Sequence, residues 1–318
     1  MIHQSPLSKP KLVAVIGATA TGKTAVGVEV ALQFDGEVVN VDSRLFYRGM
    51  NVATAKPTAD ETRGVPHHLI DILDPDEQFS LGEYLRTARV VISDIISRGK
   101  LPILVGGSGQ YIWAIIEGWE VPEIAPDTLL RAKLESRLAS EGIASLAQQL
   151  TYCAPQVAEV TDLKNPRRVI RAIERVLGGL HERDSNPSKA DEPPFDHFII
   201  GLNVERSILH TQVVERLVSM KESGWVKEVE GLLASGYSDQ TRALSGIGYR
   251  QMIDHLEGMH DLDEAIRLTA VATNRLIRQQ SNWFKRDDSR IKWFDMTDDA
   301  AGTTNSVVSA VKDWRNKN

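Results

Sequence analysis

The sequence predicts an α/β fold of the P-loop NTPase-like kind: a parallel sheet flanked by helices, carrying a small all-helical insertion. Three observations predict it. Through the first third of the chain, short β-rich runs alternate with longer helical patterns, the signature of βαβ units and a mostly parallel sheet. The string Gly17-Ala18-Thr19-Ala20-Thr21-Gly22-Lys23-Thr24 fits GxxxxGK[ST] and stands where that motif belongs, after a hydrophobic strand and before a helix. Between Gly118 and about Asn165 the pattern changes to helix-like segments with no strand, opening with the proline-bearing VPEIAP.

Taken in order, strands are expected near Leu12 to Ile16, Glu37 to Val41, His68 to Ile72 and Leu101 to Val105. Between them lie helices near Lys23 to Phe34 and Leu81 to Arg98. The second is opened by Ser80 and Glu83 in a capping-box pattern that satisfies orphan amides. Phe198 to Val204 and Ile291 to Phe294 add strands, and Glu205 to Lys221, Val226 to Leu233 and Leu262 to Lys285 read as helices. The polar, proline-rich His181 to Pro194 reads as a surface loop returning the chain to the sheet. The expected domains are a core of residues 1–120 and 166–318 and a helical insertion of residues 121–165.

Composition bounds the function. The chain has 318 residues, 42% hydrophobic and 25% charged, enough for a sizeable core in one large domain or two ordinary ones. A single cysteine, Cys153, excludes a disulfide framework and a cysteine-based zinc module, and fits a cytoplasmic location. The N-terminal stretch has no apolar h-region and the longest apolar strings are far too short to span a bilayer, so no membrane partner is expected. Lysine plus arginine is 37 against 43 acidic residues, a net charge of −6, which argues against a histone-like binder. An enzyme meeting nucleic acid through one local basic face remains compatible with it.

The glycine-rich motif points to a di- or triphosphate. Glycines let the backbone wrap an anion, the N–H groups of residues 17–24 and the positive helix N-terminus bind phosphate oxygens, Lys23 neutralises charge, and Thr24 can reach a magnesium ion. Whether the phosphate is donated, hydrolysed or expelled is a separate question. The strand Glu37 to Val41 ends in Asp42, and in a parallel sheet that end faces the ligand crevice. Asp42 can ligate magnesium or act as general base; capping the following turn is the structural alternative. The strand Leu101 to Val105 runs into Gly106-Gly107-Ser108-Gly109 and delivers no Walker B acid, which counts against a motor or switch GTPase. It delivers Ser108, either a substrate-orienting hydroxyl or part of a plain tight turn.

At this point the residues resemble a known family, the bacterial tRNA dimethylallyltransferases or tRNA isopentenyltransferases. The likeness is carried by GATATGKT at 17–24, VDSRLFYRGMNVATAKPT at 41–58, GVPHHLIDILDPDEQFS at 64–80, RGKLPILVGGSGQYI at 98–112 and NPRRVIRAIE at 165–174. It continues in GWVKEVEGLLASGY at 224–237, IGYRQ at 247–251 and RQQSNWFKR at 278–286, and so spans nearly the whole chain.

The resemblance implies transfer of the dimethylallyl group from dimethylallyl diphosphate to N6 of the adenosine immediately 3′ of the tRNA anticodon, with release of pyrophosphate. It implies that residues 17–24 bind the diphosphate with Mg2+ placed by Thr24, that Asp42 takes the proton of the attacking amine, and that Ser108 stands where the family usually has threonine. Arg216 looks like the family arginine that contacts pyrophosphate or the base. The tRNA anticodon stem-loop would meet Asp42, Ser43, Arg44, Leu45 and Ser108, with Arg131, Arg167, Arg168 and Arg171 from the insertion side. A second basic stripe, with Arg275 and Arg278 beside Trp283, runs along the long C-terminal helix. No obligate protein partner is implied, and a monomer is favoured. Leu45, Ala53 and Gln110 depart from the usual polar, glycine and leucine positions.

Other residues are discounted. The pair His67-His68 looks metal-like, but adjacent strand residues face opposite ways and no ligand set is completed nearby. Trp113 and Trp119 read as core. Three competing functions stay open: a P-loop small-molecule kinase, prenylation of a free adenine nucleotide, and a nucleotide-gated RNA-binding module.

Overall fold

The computed structural model describes residues 9–121, 127–178 and 189–317. The chain divides into two compact units, one of Met1–Ile116 with Pro193–Asn318 and one of Glu117–Glu192.

The first unit is built on a parallel sheet of β1 (Lys11–Gly17), β2 (Gly36–Asn40), β3 (His67–His68), β4 (Leu101–Gly106), β5 (Asp196–Asn203) and β6 (Ile291–Asp295). Their order is β3-β2-β4-β1-β5-β6. Central β1 pairs on both sides, with Val13 opposite Ile103 of β4 and Phe198 of β5. That position explains its composition: Leu12 to Ile16 are all fully buried, as a strand covered on both faces must be.

Helices α1 (Lys23–Phe34), α2 (Ala59–Thr62), α3 (Leu81–Ser97) and α4 (Gly109–Ile116) follow the first strands. After an interval occupied by the second unit, α9 (Arg206–Glu222), α10 (Trp225–Ala234), α11 (Tyr249–Leu256), α12 (Leu262–Trp283) and α13 (Ala300–Arg315) complete the unit. The capping box of α3 is formed: Ser80 Oγ accepts from the Glu83 amide at 3.2 Å, and Glu83 accepts from the Ser80 amide at 2.7 Å. On one side of the sheet Val26 and Val30 of α1 share a buried cluster with Val307 and Val311 of α13. Burying a side chain of this size stabilises the fold by about 1.5–3 kcal/mol.

The second unit is helical: α5 (Thr128–Glu141), α6 (Ile143–Cys153), α7 (Pro155–Val160) and α8 (Pro166–Leu177). It reaches further than the expected 121–165. Val169, Ile170 and Ile173 of α8 are buried against Leu134, Leu146, Leu150 and Val157, so the basic segment belongs to the core of the insertion. Pro166 at the first helical position and the Asn165 side chain, which accepts from the Arg168 amide, start α8.

The third strand is the other difference. The expected run His68 to Ile72 stops at His68, because Leu69 (φ 62°) and Asp71 (φ 55°) adopt left-handed backbone that no strand accommodates. The bonds go elsewhere: the Asp71 and Ile72 amides donate to the Leu45 and Phe46 carbonyls. Helices α4, α11 and α13 arise where no element was assigned. Most of the VPEIAP break and of the His181 to Pro194 loop lies outside the described residues. Among the described residues no helix is long and apolar enough to cross a membrane.

Candidate active site

Residues at the C-terminal ends of β1, β2 and β4 line a cavity of about 490 Å3 within the first unit. This is where open parallel sheets bind ligands. The loop after β1 has the conformation its glycines permit. Gly22 sits at φ 82°, and at Gly17 (φ 155°) an added Cβ would stand 2.7 Å from the Leu202 carbonyl oxygen. Within the loop, the Ala18 carbonyl accepts from Thr21 Oγ1 at 2.9 Å and from Lys23 Nζ at 2.6 Å, folding the lysine back over the nest. Thr19, Lys23 and Thr24 line the cavity; Ala18 and Ala20 lean on the apolar core.

Asp42, Ser43, Arg44 and Leu45 line the same cavity. Buried Asn40 aims this segment: its side chain accepts from the Asp42 amide (2.8 Å) and donates to the Asp42 carbonyl (3.0 Å) and the Leu69 carbonyl (2.8 Å). Asp42 Oδ1 accepts from the Arg44 amide at 3.0 Å, so the turn-capping role and the cavity-lining role coexist in one carboxylate. Arg44 is exposed and its guanidinium reaches the Ala243 carbonyl at 3.4 Å.

Ser108 follows β4, and its hydroxyl accepts from the Ser43 amide at 3.4 Å, linking the two loops. Tyr111, in the first turn of α4, adds a ring stacked at 4.2 Å on buried Tyr84; burial pushes its hydroxyl up to about 12. Arg216 enters from α9 beside Val213, Leu217 and Met220, which give the cavity an apolar wall with Trp225 and Tyr249.

The charges are coupled. Removal from water pulls Lys23 down to about 8, partly offset by the Asp42 carboxylate and reinforced by the Arg216 guanidinium. Burial also lowers Arg216 from its ordinary value, against the attraction of Asp42 and Glu61. Two cations facing one carboxylate in a partly dry cavity make a receptor for an anion of higher charge than Asp42 alone supplies.

One wall is fastened from behind. The Glu228 carboxylate of α10 accepts from the amides of Asn51 and Val52, both at 2.7 Å, and of Ala53 at 3.3 Å. The Tyr249 hydroxyl donates to the same carboxylate at 2.6 Å. Ala53, Thr54 and Ala55 line the cavity.

The predicted residues thus separate into groups. Lys23, Thr24, Asp42, Ser43, Arg44, Leu45, Ser108 and Arg216 come together around one cavity. Arg275 and Arg278 lie exposed on α12, whose cavity-facing side is instead Thr269, Thr273, Leu276, Gln280 and Trp283. In the second unit Arg167 and Arg168 are exposed, Arg168 lying 3.6 Å from Asp162. Arg131 and Arg171 turn to buried Glu174, Arg131 through two 2.7 Å bonds and Arg171 through one of 3.2 Å.

The discounted residues take structural partners. His68 bonds Glu37 at 2.7 Å, His67 bonds the Val65 carbonyl, and Trp113 is buried with its indole N–H on the Trp283 carbonyl. Sequence reading missed Gln280 and Tyr111. The signal for Gln280 was available as a buried stripe at helical spacing, Thr269, Thr273, Leu276 and Gln280, on the side of α12 away from its arginines.

A model of the IPP transferase family matches residues 45–287. The chain belongs to that family. It is 40% identical over 303 residues to the tRNA dimethylallyltransferase of Roseiflexus sp., covering 95% of this chain and 98% of the relative. To the tRNA dimethylallyltransferase of Corynebacterium efficiens it is 42% identical over 298 residues, covering 93% and 98%. Among solved structures it is similar to the full-length tRNA isopentenylpyrophosphate transferase of Bacillus halodurans, at 37% identity and a TM-score of 0.72, covering 96% and 97%. The resemblance read from the motif blocks and the P-loop fold class are both borne out, and the kinase, free-nucleotide and binding-module readings gain no support.

Proposed function

We propose that this protein transfers the dimethylallyl group of dimethylallyl diphosphate to N6 of the adenosine immediately 3′ of the anticodon in tRNA, releasing pyrophosphate. The observation that carries the reading is the convergence of the phosphate-binding loop, Asp42, Ser108 and Arg216 on one cavity that also has an apolar wall. A diphosphate, a small hydrocarbon and a proton acceptor are what this reaction needs in one place.

The loop amides and Lys23 hold the diphosphate, and the wall of Val213, Leu217 and Met220 takes the hydrocarbon. An adenine N6 amine is a weak nucleophile, because its lone pair is delocalised into the ring. Asp42 accepts its proton as the new C–N bond forms and the C–O bond to diphosphate breaks. The leaving oxygens gain charge, and Lys23 and Arg216 stabilise it more strongly than in the bound donor. Ser108, held to Ser43, orients the base edge next to Asp42.

Magnesium takes hard oxygen ligands, keeps several waters and is commonly shared with substrate phosphates. The Thr24 hydroxyl and the Asp42 carboxylate, both lining this cavity, are oxygen donors of the kind such an ion takes, and among the described residues no cluster of three or more His, Cys, Asp or Glu offers an all-protein cage. Thr24 would hold it; when bound it supplies further neutralisation of the diphosphate.

The acceptor base must leave its stack to reach Asp42, at a cost of a few kcal/mol. Exposed Arg167 and Arg168 of α8 and Arg275 and Arg278 of α12 contact tRNA phosphates, a salt-sensitive contribution. The decisive experiment incubates protein, magnesium, radiolabelled dimethylallyl diphosphate and an unmodified tRNA with adenosine 3′ to its anticodon, then identifies labelled nucleosides. Label in N6-dimethylallyladenosine establishes the reaction. Label only in free AMP overturns the tRNA assignment, and no label in either overturns the transfer reading.

A further inference from the structure

The cavity floor contains a polar side chain that the mechanism above does not use. Gln280, near the C-terminal end of α12, is only 6% exposed, yet it is not a core filler. Its Oε1 accepts from the Thr19 amide of the phosphate-binding loop at 2.9 Å, and its Nε2 donates to the Gly107 carbonyl at 3.3 Å. Gly107 immediately precedes Ser108, whose hydroxyl accepts from Ser43, the neighbour of Asp42. One carboxamide therefore stands between the loop after β1 and the turn after β4, and that turn is joined to the loop after β2. Gly107 has no room for a side chain, because an added Cβ would collide with the Gln280 amide.

We propose that Gln280 is a positioning residue that keys the diphosphate-binding loop to the Ser108–Asp42 side, so that the donor carbon and the accepting amine are held in register. Only a side chain with an acceptor and a donor at one end meets both loops. Methionine has the length and neither function, whereas glutamate accepts from Thr19 but has no proton for the Gly107 carbonyl at neutral pH. Either change leaves a buried backbone group without its partner and lets the two loops drift. A misplacement near 1 Å at a reacting centre costs roughly 100-fold in rate.

This inference rests on the transferase reading, and the test separates the two. Wild type, Gln280→Met and Gln280→Glu are compared in single-turnover transfer at saturating dimethylallyl diphosphate and tRNA, in magnesium pyrophosphate binding by calorimetry, in tRNA binding by filter retention, and in thermal midpoint. The expected result is a single-turnover rate lowered about 100-fold in both variants and pyrophosphate affinity lowered about tenfold, with tRNA affinity unchanged within twofold and the midpoint lowered by only several degrees. If wild type itself transfers nothing, the proposed function fails, and unchanged pyrophosphate affinity in the variants then overturns the positioning role as well. Unchanged rate and pyrophosphate affinity, or a parallel loss of all four properties in both variants, assigns Gln280 to packing alone and overturns the inference.

Discussion

Raising the pH should weaken donor binding through Lys23, by an amount the cavity sets. Burial brings this lysine from 10.5 to about 8, so above that pH the free protein increasingly holds a neutral amine. The bound diphosphate requires the ammonium form, and the proton must be taken up on binding. Affinity then falls by the factor 1 + 10^(pH − 8), which is roughly 30-fold at pH 9.5, or about 2 kcal/mol. The opposite sign governs stability: the unfolded chain keeps the proton to about 10.5, so between about 8 and 10.5 this lysine makes the folded state relatively more stable as pH rises. The assay is calorimetry with an unreactive thiolo analogue of dimethylallyl diphosphate, whose phosphates are fully ionised above pH 8, in two buffers of different ionisation enthalpy. Proton uptake should approach one per analogue bound by pH 9.5, and Lys23→Arg should abolish the uptake because a guanidinium stays charged. Removing the attraction in Asp42→Asn should move the onset to lower pH. No proton uptake at pH 9.5, or the same uptake in Lys23→Arg, would refute the reasoning.

Asp42→Asn should lower single-turnover transfer by about 10²–10⁴-fold while leaving tRNA retention unchanged, as expected for loss of a general base; lost binding with intact transfer per bound tRNA would remove that role. Gly109→Ala should slow transfer at least tenfold in steady-state assays, because the added methyl would collide with the Trp283 side chain at the cavity rim. Glu174→Gln should lower the denaturation free energy of the helical insertion by about 3 kcal/mol in urea titration, since a buried carboxylate facing Arg131 and Arg171 is removed and leaves two cations facing one another. Arg216→Gln should reduce donor affinity and transfer rate together, by about tenfold each, in the same calorimetric and single-turnover assays.

Much of the parallel sheet was legible because its strands are short, apolar and punctuated by glycine. The glycine-rich loop after β1 was legible because strand, glycines, lysine and helix must stand in that order. The third strand was not, since nothing local in Leu69 to Ile72 reveals that Leu69 and Asp71 take left-handed backbone, or that the Asp71 and Ile72 amides bond the Leu45 and Phe46 carbonyls. Helix α4 was hidden by its own composition: Ile112 to Ile116 is buried all round and lacks a polar face to show its period. The extent of the insertion escaped because a basic segment reads as surface until its other face, Val169, Ile170 and Ile173, is seen in a core. Asp42 was placed by the rule that strand ends face the crevice, whereas Gln280 required knowing which loops α12 lies against.

The carboxylate of Glu228 has a bearing on how this protein can vary. Because it grips three successive amides, the course of the chain at Asn51 to Ala53 is dictated by a residue 175–177 positions away and not by its own side chains. The identity of residue 53 is thereby freed from the task of shaping its loop. Alanine stands there, its methyl directed toward Gly248, where an added Cβ would come within 3.2 Å of it. Gly248 itself must stay bare, since it sits at φ 91° and an added Cβ would also stand 3.1 Å from the Trp225 ring. Bulk on this side of the cavity is thus expected to vary at residue 53 and not at residue 248, while the backbone that Glu228 holds stays where it is.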